Sequence, residues 1–124
     1  LSRDGDPNND GVLTMSEAMA LRLDADMVTL SACGSGLVRD PVAGDGIGDL
    51  ARAFFIAGAR HVTASLWDVD DDAAVVLMRS YYAQLRQGRN AARALQAAQR
   101  ELLRHRTFNH PYCWATFIVL GACP

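Results

Sequence analysis

Met27-Val28-Thr29-Leu30-Ser31-Ala32-Cys33-Gly34-Ser35-Gly36 is the stretch on which the reading of this chain turns. Its apolar, β-branched start reads as a buried strand, expected over about Met27 to Ala32. The strand ends on small residues, then a cysteine, then two glycines around a serine. A buried strand fixes the Cα of Cys33, and the glycines let a substrate backbone come close. That is a position for a thiol nucleophile. The alternative is a small buried hydrophobe, a common role for a free cysteine.

The neighbouring segments alternate in type. A polar turn leads into a short helix near Ser16 to Leu21. After strand one, the loop from Cys33 to Gly46 is rich in glycine. Gly48 to Ala57 reads as a helix with Leu50, Ala53, Phe54 and Ala57 on one face, and Gly58 stops it. Strand two is expected over Val62 to Leu66. A helix over about Asp71 to Gln87 carries acidic residues in its first turn, where the helix dipole favours them, and Gly88 ends it. Asn90 caps a second helix from Ala91 to about His105. Strand three is expected over Ala115 to Leu120. This order predicts an α/β fold, a mainly parallel sheet covered by helices. Ligands of such sheets bind beyond the carboxyl ends of the strands, where Cys33 and Trp67-Asp68 both fall.

Composition narrows the class. The chain has 124 residues, half of them hydrophobic, and a formal net charge of −2. That suits one small globular domain and argues against a disordered tail or a nucleic-acid binder. All twelve basic residues are arginine. No run reaches membrane-spanning length and no signal-peptide pattern opens the chain. Cys33, Cys113 and Cys123 are an odd number without metal-type spacing, which reads as free thiols in a reducing, cytoplasmic setting.

Three further motifs carry chemistry. In Leu66-Trp67-Asp68-Val69-Asp70-Asp71-Asp72, Trp67 can wall a substrate subsite and a carboxylate can receive a basic side chain. The same run also reads as a capped helix start with a partly buried tryptophan. Cys33 to Arg39 has the Cys-x5-Arg spacing of a phosphatase loop, but Asp40-Pro41 opposes the helix start such a loop needs and Asp40 repels phosphate. Asp6 to Glu17 fits a twelve-position calcium loop, with Asp6, Asn8, Asp10, Thr14, Glu17 and the Val12 carbonyl as ligands. Pro7 is unusual there and no entering helix precedes it, so a plain turn and helix cap stays open.

The chain resembles the CHAT domain, a branch of the caspase-like cysteine peptidases related to separase. The resemblance rests on Leu30-Ser31-Ala32-Cys33-Gly34-Ser35-Gly36, Gly44-Asp45-Gly46, Leu50 to Arg60, Ala64-Ser65-Leu66-Trp67-Asp68-Val69-Asp70-Asp71 and His110-Pro111-Tyr112-Cys113-Trp114-Ala115-Thr116-Phe117 with Gly121. It implies a caspase-like three-layer sandwich, a mainly parallel sheet with helices on both faces. Residues 1–124 would be the C-terminal portion of the domain.

It further implies a cysteine endopeptidase with Cys33 as nucleophile of a Cys–His dyad, in a regulated bacterial defence-type system. No required cofactor follows from it. Such enzymes carry the histidine on the strand before the cysteine strand, and no histidine precedes Cys33. His61 is expected at the far end of the sheet, His105 late in a helix, and His110 in a structural run. The expected partners are an N-terminal segment or chain bearing the dyad histidine and a protein substrate, with neither nucleic acid nor membrane. Similarity to separase implies cleavage after a basic residue, with Asp68 as the recognising acid and Asp45 and Asp71 as alternates. CHAT-like sequences also carry Asp-Gly-x-Leu-Thr-x-x-Glu as a turn and cap. The rival readings are a protease-dead scaffold or interaction module and, third, the phosphatase.

Overall fold

Parallel pairing of two strands sets the frame of the computed structural model, which describes residues 13–31 and 47–121. In chain order the elements are α1 (Met15–Ala20), β1 (Ala25–Leu30), α2 (Ile47–Ile56), β2 (Ala59–Ser65), α3 (Asp71–Arg86), α4 (Ala91–Leu103), α5 (Pro111–Trp114) and β3 (Phe117–Gly121). The sheet order is β1-β2-β3. β1 and β2 are parallel, with Leu30 opposite Ala64. β3 runs antiparallel to β2, with Phe117 opposite Ser65.

The direction of β3 corrects the mainly parallel expectation. One crossover helix, α2, returns the chain to the end where β1 began, so β2 is parallel. Between β2 and β3 there are two packed helices, α3 and α4. Two passes bring the chain back to the end it left, and β3 must run the other way.

Side chains alternate across the strands and divide the core in two. On one face Leu77, Tyr81, Ala94, Leu95, Ala98, Leu102 and Phe117 form a buried cluster, with Met27 and Val119 packed against it. On the other, Ala18, Ala51, Ala53, Phe54, Ala59 and Val62 cluster with Val28, Leu30 and Leu120. Helices therefore cover both faces, α3 and α4 on one and α1 and α2 on the other. Each fully buried leucine, such as Leu77 or Leu102, stabilises the fold by about 1.5–3 kcal/mol.

Local chemistry sets the boundaries. Asp70 accepts from the amides of Asp72 and Ala73 and caps α3, and Asn90 accepts from Arg93 N–H at 2.9 Å and caps α4. Gly58 closes α2 with φ +109°, and a Cβ there would lie 2.0 Å from the Leu23 carbonyl oxygen, so only glycine fits. Among the described residues no helix is long and apolar enough to cross a membrane.

Candidate active site

Three segments meet at the carboxyl end of the parallel pair. The register that sets Leu30 opposite Ala64 brings Ser31 out of the sheet on the same edge as Ser65. Phe117, opposite Ser65, brings β3 in at that edge. Ser31, the loop Leu66–Asp68 and the turn His110–Thr116 therefore share one end of the sheet. Cys33, two residues beyond Ser31, lies outside the described residues, as do Asp45 and Arg39.

The loop after β2 is clasped by the turn before β3. Leu66 N–H donates to the Thr116 carbonyl at 2.8 Å. The buried Thr116 hydroxyl returns a bond to the Trp67 carbonyl at 3.0 Å. The Trp67 indole N–H donates to the Tyr112 carbonyl at 2.9 Å, and the two rings stack with centroids 5.8 Å apart. The Tyr112 hydroxyl donates to the Asp68 carbonyl. Backbone carbonyls leaving a strand end need partners, and side chains from residues 112–116 supply two of them. Trp67 is half-buried and Asp68 exposed. Tyr112 and Thr116 stand in the His-Pro-Tyr-Cys-Trp-Ala-Thr run, but their role in holding this loop is not legible from local pattern.

The turn itself is a short helix that the sequence reading missed. Pro111 occupies its first position and His110 caps it, accepting from Tyr112 N–H through Nδ1 at 3.2 Å. The free cysteine Cys113 sits half-buried within it.

The acidic run resolves into separate roles. Asp70, not Asp68, caps α3, so the capping alternative does not account for Asp68. Asp68 and Asp71 both carry exposed side chains at the same sheet end.

His61 pairs with Met27 and Gly121 toward the opposite end of β2, about 13 Å of strand from Ser65, and its Nδ1 donates to the Asp26 carbonyl at 3.1 Å. His105 accepts from the amides of Thr107 and Phe108 through Nδ1 and stacks on the Phe108 ring. His110 is the α5 cap.

α3 is tied to β1 by a buried polar chain. Tyr81 donates to Met27 Sδ at 2.9 Å and takes a hydrogen bond from Thr63 at 2.8 Å. Burial pushes the Tyr81 hydroxyl above its usual pKa of 10.0, with Thr63 pulling the other way. Tyr82 donates to Thr29 at 3.0 Å. Met27 and Thr29 are thus anchored from α3.

At the other motif, Thr14 and Glu17 form a reciprocal capping box on α1. Glu17 N–H donates to Thr14 Oγ1 at 3.3 Å and Thr14 N–H donates to Glu17 Oε2 at 2.7 Å. Asp6, Asn8, Asp10 and Val12 lie outside the described residues. Among the described residues no three acidic, histidine or cysteine side chains cluster as a metal site.

The sequence model of the CHAT domain family matches residues 1–122. The chain belongs to the CHAT domain family. Two curated relatives are tetratricopeptide repeat protein 28 of mouse, 33% identical over 116 residues, and of human, 32% identical over the same length. The match takes in 94% of this CHAT chain but only 5% of each relative's length. No solved structure matches it significantly.

Proposed function

We propose that this CHAT domain is a caspase-like cysteine endopeptidase with Cys33 as nucleophile. The observation that carries the reading is the parallel register of Leu30 with Ala64. It puts the strand leading to Cys33 and the Trp67-Asp68 loop on one sheet edge, in a chain whose family is peptidase-like. The thiolate attacks a peptide carbonyl, and the thiol proton passes to a histidine. The C–N bond then breaks as that histidine protonates the leaving amine, and water hydrolyses the thioester. The Cys33 amide is the candidate oxyanion donor.

His61 lies toward the opposite end of β2, and His105 and His110 each spend Nδ1 on accepting backbone amides. The dyad histidine is therefore assigned to a preceding segment or a separate chain, adding strands beside β1. β1 pairs with β2 alone among the described residues, and an open strand edge is a template for such pairing. Trp67 walls the subsite and Asp68 takes a basic substrate side chain. The relatives are mammalian repeat proteins, and they lend no support to the bacterial defence setting.

The test is labelling of the full-length protein by a thiol-directed peptide electrophile, with cleavage measured in parallel. Cys33→Ala is expected to lose both, and Cys113→Ala, Cys123→Ala and His61→Ala to keep both. Cleavage by Cys33→Ala overturns the proposal. Absence of cleavage and labelling in the wild type favours the scaffold reading.

A further inference from the structure

Charge in this chain is segregated along the sequence. Residues 73–124 hold seven of the twelve arginines and one of the fourteen acids, Glu101. Residues 1–72 hold five arginines against thirteen acids. Much of the positive half is displayed on α4. Its inward face is Ala91, Ala94, Leu95, Ala98 and Leu102, all buried. Arg93, Arg100 and Arg104 project from the opposite face, all exposed. They span about 16 Å of helix. Arg89 and Gln96 join Arg100 and Arg104 in lining a shallow groove there.

A solvated helix face ordinarily mixes signs evenly, whereas the groove here sets Arg89, Arg100 and Arg104 against a single acid, Glu101. Among the described residues the ion pair found is Arg60 with Asp26, on the sheet. Glu101, the acid bordering the groove, is held by the Ser80 hydroxyl at 2.5 Å. Two features make the arrangement unfavourable in isolation. Arg100 and Arg104 are like charges one turn apart. Arg93 lies in the first turn of α4, where the helix dipole disfavours a cation and no acid compensates. An anionic partner relieves both.

We infer that the outer face of α4 is a docking surface for an acidic protein segment, gripped through Arg93, Arg100 and Arg104. Guanidinium groups match carboxylates in two-point contacts. Leu103 is 52% exposed on the flank of the stripe, one heptad after Gln96, and gives the segment an apolar anchor. Arginine beside exposed apolar area is the composition of protein interfaces. The acidic remainder of the molecule opposes a long polyphosphate, which must pass through its field, while a short acidic segment meets only α4. This surface is independent of Cys33 chemistry.

The experiment uses the full-length protein and the fluorescence anisotropy of two labelled probes. One is a peptide alternating glutamate with leucine; the other is a single-stranded oligonucleotide of matched charge. The peptide is expected to bind, and to bind more tightly than the oligonucleotide. Arg93→Glu/Arg100→Glu is expected to weaken it by about tenfold or more, and Leu103→Ser by a smaller factor. Arg52→Glu, an exposed reversal on α2, and Cys33→Ala leave it unchanged. Failure of the peptide to bind, tighter binding of the oligonucleotide, or an equal loss with Arg52→Glu overturns the inference.

Discussion

Trp67 and Tyr112 hold each other twice, through stacked rings 5.8 Å apart and through the indole N–H on the Tyr112 carbonyl at 2.9 Å. They stand 45 residues apart in sequence. The pair joins the exit of β2 to the helix that precedes β3, and the Thr116 and Tyr112 hydroxyls close the same clasp on the carbonyls of Trp67 and Asp68. The loop read as a substrate wall is thereby held by bonds on three consecutive residues.

The clasp predicts an order of stability losses. Thr116→Val leaves the Trp67 carbonyl without its buried donor and is expected to cost about 1–3 kcal/mol. Tyr112→Phe keeps the ring and the main-chain carbonyl and loses only the exposed bond to Asp68, about 0.5–1.5 kcal/mol. Urea midpoints at unchanged m-value measure both. An equal or reversed order means that the hydroxyl of Thr116 does not hold the loop.

Much of this architecture could be read from local chemistry, because local chemistry decides it. Asn90 before an apolar-periodic run and Gly58 after one mark helix ends through a single side chain or a single allowed φ. The strand before Cys33 is legible in its β-branched run, although pairing shifts it to Ala25–Leu30. Asp26 is a poor strand former. It is carried into β1 by the partner strand, where Arg60 meets it at 2.9 Å. The direction of β3 is not legible in the sequence, because it depends on the packing of α3 against α4, not on any residue in β3. α5 has only four residues, too few for a periodic signal. Tyr112 and Thr116 reach partners more than forty positions away, and no window of sequence contains that relation.

Tyr81 ties stability to alkaline pH. Its buried hydroxyl titrates above 10.0 in the folded chain, while the unfolded chain titrates near 10. Below that pH both states hold the proton, and Tyr81 adds no pH dependence. Above it the unfolded state loses its proton first, so this contribution falls as pH rises through the folded pKa. Melting temperature measured from pH 8 to 11 is expected to drop at the alkaline end. Tyr81→Phe should be less stable at neutral pH, because Thr63 and Met27 lose their partner, yet show a shallower alkaline drop. An unchanged alkaline slope in Tyr81→Phe would falsify this account.

Thr14 and Glu17 separate a helix cap from a metal loop. In the capping box, Glu17→Gln keeps an acceptor for the Thr14 amide and costs little, whereas Thr14→Ala costs about 0.5–2 kcal/mol. If Asp6, Asn8, Asp10, the Val12 carbonyl, Thr14 and Glu17 hold calcium, Glu17→Gln removes a charged bidentate ligand and weakens the ion sharply. The expected result is the cap order in calcium-free buffer. Calorimetric titration with calcium then tests the loop: heat present in the wild type and lost in Glu17→Gln assigns the ion to these residues. A melting temperature that drops as far in Glu17→Gln as in Thr14→Ala, without calcium, defeats the cap.

Substrate preference follows from Asp68 if the peptidase reading holds. The Tyr112 hydroxyl fixes the Asp68 main chain, and Asp70 takes the helix-capping duty. The Asp68 side chain is exposed on the sheet edge that β1 shares. A carboxylate so placed favours guanidinium, which it can meet in two-point fashion, and rejects an acidic side chain by like-charge repulsion. Asp71, on the first turn of α3, and Asp45 are the alternates. In a peptide library varied at the residue before the cut, arginine and lysine are expected to dominate. Asp68→Asn is expected to reduce kcat/KM for the arginine substrate by about tenfold or more, with little effect on a neutral substrate. Asp71→Asn serves as the matched control, and a larger loss there transfers the role to Asp71. Preference for aspartate or for a bulky apolar residue would remove the acidic loop from recognition and leave Trp67 and Tyr112 as a purely apolar wall.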